Sequence, residues 1–223
     1  MKLIEYADAE MMALDLANTI AGELESVLMG GGRATLVVAG GTTPGPVFDS
    51  LSGADLDWPR VDVALSDERW LPEVNLRSNA RLIKERLLVG RAAEARFHPL
   101  FVPADDPEEV LAEIESGLIP CLPISVLLLG MGVDMHTASL FPGGDNLATA
   151  LAPDAPILIP IRADGAPEPR VSMSARVLNA ALSKHLMITG TAKRNALEKA
   201  QNLPASEAPV SSVLSDCTVH WSP

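Results

Sequence analysis

Apolar residues recur at helical spacing near the start of the chain, at Ala13, Leu16, Ala17, Ile20, Leu24, Val27 and Leu28, and Gly30-Gly31-Gly32 ends the pattern. That stripe predicts an amphipathic helix with one buried face. Beyond the glycines the pattern changes to short uninterrupted runs: Ala34 to Ala39, Val61 to Leu65, Ile124 to Leu129 and Leu186 to Thr189. None alternates polar and apolar residues, so each is expected as a strand buried on both faces, as in a parallel sheet. Helical patterns separate the runs. The chain therefore reads as an α/β layered fold, a mostly parallel central sheet flanked by helices. Neither a repeat nor a long linker divides it, which predicts one α/β domain over residues 1–223, with the Pro-rich stretch from Pro153 to Pro169 as a surface excursion.

Composition narrows the partners. The 223 residues are 48% hydrophobic and 21% charged, ordinary globular usage, and the formal net charge is −12. Nucleic acid and anionic membranes select basic surfaces, so neither is expected as a partner. If the substrate is itself an anion, Arg and Lys must gather at one place against the overall field. No apolar signal segment opens the chain, and its apolar runs fall far short of the ~20 residues of a membrane span. Cys121 and Cys217 lack metal-type spacing and suit a reducing, cytoplasmic setting. A monomer or small homo-oligomer is expected.

In open α/β sheets ligands gather at the carboxyl ends of the strands, so the segments after the apolar runs carry the chemistry. The first is Gly40-Gly41-Thr42-Thr43-Pro44-Gly45. Its glycines admit close backbone approach, Thr43 suits a helix cap and Pro44 the first helical position. Exposed amides with two hydroxyls form either a phosphate cradle or simply a tight strand-to-helix turn. The second, Ser66-Asp67-Glu68-Arg69-Trp70, leads to Asn75-Leu76-Arg77-Ser78-Asn79. It is either a solvated turn with surface ion pairs or the source of positive charge, from Arg69 and Arg77, beside an acid, Asp67. Ser78 or Asn79 is expected to cap the next helix.

The third segment is the most informative: Gly130-Met131-Gly132-Val133-Asp134-Met135-His136-Thr137-Ala138-Ser139-Leu140-Phe141-Pro142-Gly143. His136 is a candidate general base, with Asp134 to orient or polarise it, or else a structural hydrogen-bonder beside a turn. His98, His185 and His220 are scattered, and no catalytic metal is expected. In the fourth, Thr189-Gly190-Thr191-Ala192-Lys193-Arg194, Thr191 as N-cap places Lys193 in the first helical turn, where a cation is unfavourable unless an anion binds. Arg170 is a further candidate cation.

In order and spacing, the Gly-Gly-Thr-Thr-Pro turn, the Ser66-Asp67-Glu68-Arg69 segment with Ser78-Asn79, and the Gly132 to Gly143 segment resemble the 6-phosphogluconolactonases, over most of the chain. The resemblance implies a Rossmann-like α/β fold, no cofactor or metal, and hydrolysis of a phosphorylated sugar lactone, 6-phosphoglucono-δ-lactone, to 6-phosphogluconate. His136 is then the base on the attacking water and Asp134 its orienting group, with Asp67 lining the site. The phosphate is implied on Gly40, Gly41, Thr42 and Thr43, with Lys193 and Arg170. Arg69 or Arg77 is left to hold the substrate or the oxyanion.

Two other readings remain at this point. A sugar-phosphate isomerase or deaminase of the same fold carries a glutamate five residues after the histidine, where this chain has Phe141. A non-catalytic sugar-phosphate sensor would keep the cations without needing His136. One departure from the resembled family stands out: it usually has glycine where this chain has Met135. A positive φ there would strain methionine.

Overall fold

A computed structural model describes residues 1–164 and 166–223. Along the chain come β1 (Lys2–Glu5), α1 (Ala9–Met29), β2 (Ala34–Val38), α2 (Gly45–Leu51), β3 (Val61–Leu65), β4 (Asp67–Arg69), α3 (Asn79–Arg86), β5 (Arg96–His98) and α4 (Leu111–Leu118). Then follow β6 (Val126–Gly130), α5 (Leu147–Leu151), β7 (Leu158–Ala163), β8 (Ala166–Met173), α6 (Ala175–Asn179), β9 (Ser183–Thr189), α7 (Thr191–Ala200) and β10 (Cys217–Ser222).

The apolar stripe at the N-terminus forms α1. Asp8 caps it by accepting from the Met11 amide at 2.8 Å, and Met12, Leu16, Ile20 and Leu24 are fully buried. All four apolar runs form strands, and every residue of β2 and β3 is buried. Seven strands make one parallel sheet in the order β1-β10-β9-β6-β2-β3-β5. From β2 the chain builds outward through β3 to β5, then crosses back to lay β6 on the other side of β2. The direction reverses between β2 and β6, and their carboxyl ends flank the crevice in which α/β folds bind ligands.

Two expectations need correction. Strand β9 starts at Ser183, three residues before the apolar run, because His185 is buried polar: its Nε2 meets Glu23 Oε2 at 2.8 Å and its Nδ1 meets His220 Nε2 at 3.0 Å. The Pro153 to Pro169 stretch is also more than a surface excursion. It supplies β7 and the start of β8, which join β4 in an antiparallel sheet of order β4-β8-β7. Proline donates nothing to a ladder and so disguises a strand. Here Pro160 lies on the edge strand, while the Pro169 carbonyl accepts from the Trp70 amide at 2.8 Å. Through this small sheet Arg170 reaches the crevice.

Candidate active site

At the carboxyl ends of β2, β6 and β9 lies a cavity of about 330 Å³ that gathers residues from all four segments. Gly40, Gly41 and Thr43 line it from the first, Asp67 and Arg69 from the second, His136 and Phe141 from the third and Lys193 from the fourth, with Arg170 joining from β8. Three expected residues are not in its lining. Thr42 lies beside it in sequence, Asp134 stands behind His136, and Arg77 turns to Glu168, its Nη2 donating to Oε2 at 2.8 Å.

The cationic concentration required of an anion site is present. Arg69 and Arg170 are directly opposite each other across the β4–β8 ladder. Like charges so placed repel, and the Nε atoms of both guanidiniums are buried without a partner. Arg170 is only 8% exposed, and burial together with Arg69 pushes its guanidinium below the usual range. Burial likewise pushes the Lys193 ammonium down. Among the described residues no carboxylate forms an ion pair with Arg69, Arg170 or Lys193, although acids outnumber bases in this chain. One buried and two half-buried cations without an ion-pair partner are costly to maintain, and an anionic ligand offsets that cost.

Residues two apart need not touch, but Asp134 and His136 do: Oδ1 and Nδ1 are 2.6 Å apart. That bond holds the Asp134 carboxyl below the usual carboxylate range. With Nδ1 occupied by the carboxylate, Nε2 is the nitrogen left for chemistry, the arrangement an oriented general base requires. The ring leans on Phe141, centroids 4.6 Å apart.

The loop holding this pair is stitched on both sides. Gly132 N donates to the His136 carbonyl, Met135 N to the Gly132 carbonyl and Val210 N to the Met135 carbonyl, each at 3.0 Å. A Cβ on Gly132 would collide with both Asp134 Oδ1 and His136 Nδ1, so only glycine leaves this pair in place. Met135 adopts φ 68°, in the left-handed region. The loop thus keeps the glycine-type backbone with a methionine in it, at a cost on the order of 1 kcal/mol. Met135→Gly should therefore exceed Met135→Ala in stability by about 1 kcal/mol in denaturant unfolding, the reverse of the usual order. Equal stabilities would show that the site carries no such strain.

The second segment is ordered by a buried carboxylate that no sequence pattern singles out. Glu68 is fully buried and accepts from four donors: Arg69 N at 2.7 Å, Asn79 N at 2.8 Å, Ala80 N at 2.7 Å and Ser78 Oγ at 3.1 Å. It ties β4 to the first amides of α3. Burial still pushes its carboxyl above the usual range. Ser78 is the N-cap as expected, its Oγ accepting from Arg81 N at 3.3 Å. Asn79 joins the cavity lining, donating to the Asp67 carbonyl at 2.9 Å and accepting from Arg69 Nη1 at 3.1 Å. Asp67 itself is buried and accepts from Ser66 Oγ at 2.9 Å and Ser139 Oγ at 2.6 Å.

The helix starts differ slightly from expectation. Helix α2 begins at Gly45 with Pro44 as its N-cap residue, so Thr43 makes no capping bond and stays on the cavity wall. Gly41, with φ 91°, turns the chain there. Helix α7 has Gly190 at the N-cap position and Thr191 as its first residue, and Lys193 remains in its first turn.

A curated 6-phosphogluconolactonase of Rhizobium meliloti is 40% identical, covering 98% of this chain and 97% of its own. Another, from Pseudomonas aeruginosa, is 41% identical over 98% and 93%. A solved 6-phosphogluconolactonase from Shewanella baltica superposes with TM-score 0.97 at 30% identity, covering 100% of this chain and 98% of that one. A monomeric glucosamine-6-phosphate deaminase shares the fold, TM-score 0.82, at 19% identity. The family model described as glucosamine-6-phosphate isomerases/6-phosphogluconolactonase matches residues 7–221. From its second residue past the first strand to the last strand of the sheet, the chain belongs to the glucosamine-6-phosphate isomerase/6-phosphogluconolactonase family.

Proposed function

We propose that this chain hydrolyses 6-phospho-D-glucono-1,5-lactone to 6-phosphogluconate, the second step of the oxidative pentose phosphate pathway. The observation that carries the reading is one cavity holding an oriented imidazole beside three cations that have no carboxylate partner among the described residues. Relatives named 6-phosphogluconolactonase at about 40% identity support the same substrate.

In the proposed reaction His136 is neutral, with Nδ1–H donating to Asp134. Its Nε2 takes a proton from a water whose oxygen attacks the lactone carbonyl, C1. The charge that develops on the carbonyl oxygen is stabilised by a guanidinium. The C1–O5 bond then breaks, and the imidazolium returns the proton to O5. Arg69 suits the oxyanion or the sugar better than Arg77, because it lines the cavity while Arg77 is engaged by Glu168. The phosphate is assigned to Lys193 and Arg170, with the turn Gly40, Gly41, Thr42 and Thr43. Asp67, with two serines already donating to it, lines the sugar side.

Metal independence is part of the proposal. A catalytic zinc takes three protein ligands, and the described cavity lining offers one imidazole and one carboxylate, Asp67. A cytoplasmic location fits the two free, buried thiols, and among the described residues no helix is long and apolar enough to cross a membrane. An isomerase or deaminase reaction needs a second acid/base group to carry a proton between carbons. Phe141 stands beside His136, and its ring does no acid/base work.

The test is consumption of freshly generated 6-phosphogluconolactone above its spontaneous opening, with unphosphorylated gluconolactone in parallel. Rapid turnover of the phosphorylated compound alone is expected, and no acceleration of either overturns the reading. Lys193→Ala should raise KM for the phosphorylated lactone about tenfold with little change in kcat, the size of one charge-assisted contact. An unchanged KM would put the phosphate elsewhere.

A further inference from the structure

Outside the cavity lining, beside the β3–β5 edge of the sheet, three groups from separate parts of the chain converge. Asp62 is the second residue of β3, His98 ends β5, and Cys121 closes the short turn Ile119–Cys121 that follows α4. One carboxylate oxygen of Asp62, one ring nitrogen of His98 and Cys121 Sγ all lie within 4.8 Å of one another. Oδ1 is 2.8 Å from Nε2, and Sγ is 3.3 Å from the same Nε2.

That shared nitrogen decides between two chemistries. A nucleophilic relay puts the thiol on one ring nitrogen and the carboxylate on the other. Here both face Nε2, so no relay runs through the ring, and three different donor atoms instead surround one point. We propose that Asp62, His98 and Cys121 form a binding site for a single thiophilic divalent cation of the zinc type.

Dimensions and chemistry both favour it. Bonds of ~2.0–2.3 Å at tetrahedral angles place ligand atoms about 3.3–3.6 Å apart. The Nε2–Oδ1 and Nε2–Sγ separations of 2.8 and 3.3 Å therefore need to widen by less than ~1 Å. One thiolate, one imidazole and one carboxylate select zinc or cobalt over magnesium or calcium, which prefer oxygen ligands alone. The nearby cations are compatible with an ion. Arg33 Nε donates to Asp62 Oδ2 at 2.6 Å, the oxygen that His98 does not use, which is how an outer partner orients a ligating carboxylate. Arg96 approaches Oδ1 only to 4.0 Å on an exposed side chain that is free to swing outward. On binding, the Cys121 thiol gives its proton to solvent, so the charges of thiolate and carboxylate balance the dication. The ion would cross-link β3, β5 and the turn that leads into β6, a role independent of the hydrolysis proposed above.

Titration of chelator-stripped protein with cobalt(II) tests this. One equivalent should bring up a thiolate-to-cobalt charge-transfer band in the near ultraviolet and tetrahedral d–d bands in the visible. Cys121→Ser should abolish the charge-transfer band, and His98→Gln should weaken binding at least tenfold. Cys217→Ser and His136→Ala should leave the spectrum unchanged. Zinc should displace the cobalt bands and raise the Tm of the wild type. A folded wild-type protein that gives no charge-transfer band, or a Cys121→Ser protein that keeps it, overturns the site and leaves the three groups a hydrogen-bond network. If Cys121→Ser does not fold by circular dichroism, the wild-type spectrum and His98→Gln decide: an unweakened His98→Gln overturns the site.

Discussion

His136→Ala should lower kcat/KM for 6-phosphogluconolactone by about 10²-fold or more once spontaneous opening is subtracted, the usual contribution of a positioned general base. The expectation rests on geometry. The 2.6 Å contact to Asp134 fixes which ring nitrogen carries the proton, and the loop bonds from Gly132 and Val210 hold that contact in place. Asp134→Asn is the sharper companion. An amide at that position can donate to Nδ1, which favours the tautomer with the proton on Nε2 and removes the base without removing the ring. Its loss should approach that of His136→Ala, whereas a group that merely filled space would be replaced by asparagine at little cost. A His136→Ala enzyme within threefold of wild type sinks the assignment, and a residual rate is expected because the cations still hold the substrate.

Much of this site was legible in the sequence because the fold delivers it by rule. Each apolar run without alternation became a parallel strand, and each segment after such a run reached the same end of the sheet. The Met135 substitution was legible too, since a left-handed backbone is a local property and the loop retains it. What sequence could not supply were long-range pairings. Arg69 and Arg170 are 101 positions apart and become neighbours only through the β4–β8 ladder, whose proline-bearing partner strand carries no clear strand pattern. Likewise Asp62, His98 and Cys121 show no metal spacing because sheet order, and not sequence proximity, unites them. The pairing of Arg77 is hidden for the same reason: its place in the segment after Arg69 says nothing of Glu168, which the hairpin brings to it.

Glu68 shows the same limit, since its acceptor role depends on amides more than ten positions away. Glu68→Ala should cost about 4 kcal/mol or more, lowering Tm by roughly 10 °C in a chain of this length. Removing the carboxylate strands three backbone amides and the Ser78 hydroxyl in a fully buried place, and each stranded donor carries its own desolvation cost. Glu68→Gln should be intermediate, near 2 kcal/mol. Its oxygen serves the amides of Arg69 and Asn79, and its amide donates to Ser78 Oγ, which leaves the Ala80 amide facing another donor. The order is diagnostic because the raised carboxyl pKa admits a rival account. If buried charge were the dominant strain at this position, the neutral glutamine would match or exceed the wild type in stability. If the four accepted hydrogen bonds dominate, both variants lose stability and alanine loses more. The second outcome is expected, with a consequence for the cavity. Glu68 holds Asn79 beside Arg69, so Glu68→Gln should also raise KM for the lactone at temperatures where the variant is fully folded, whereas a purely global destabilisation would leave KM unchanged.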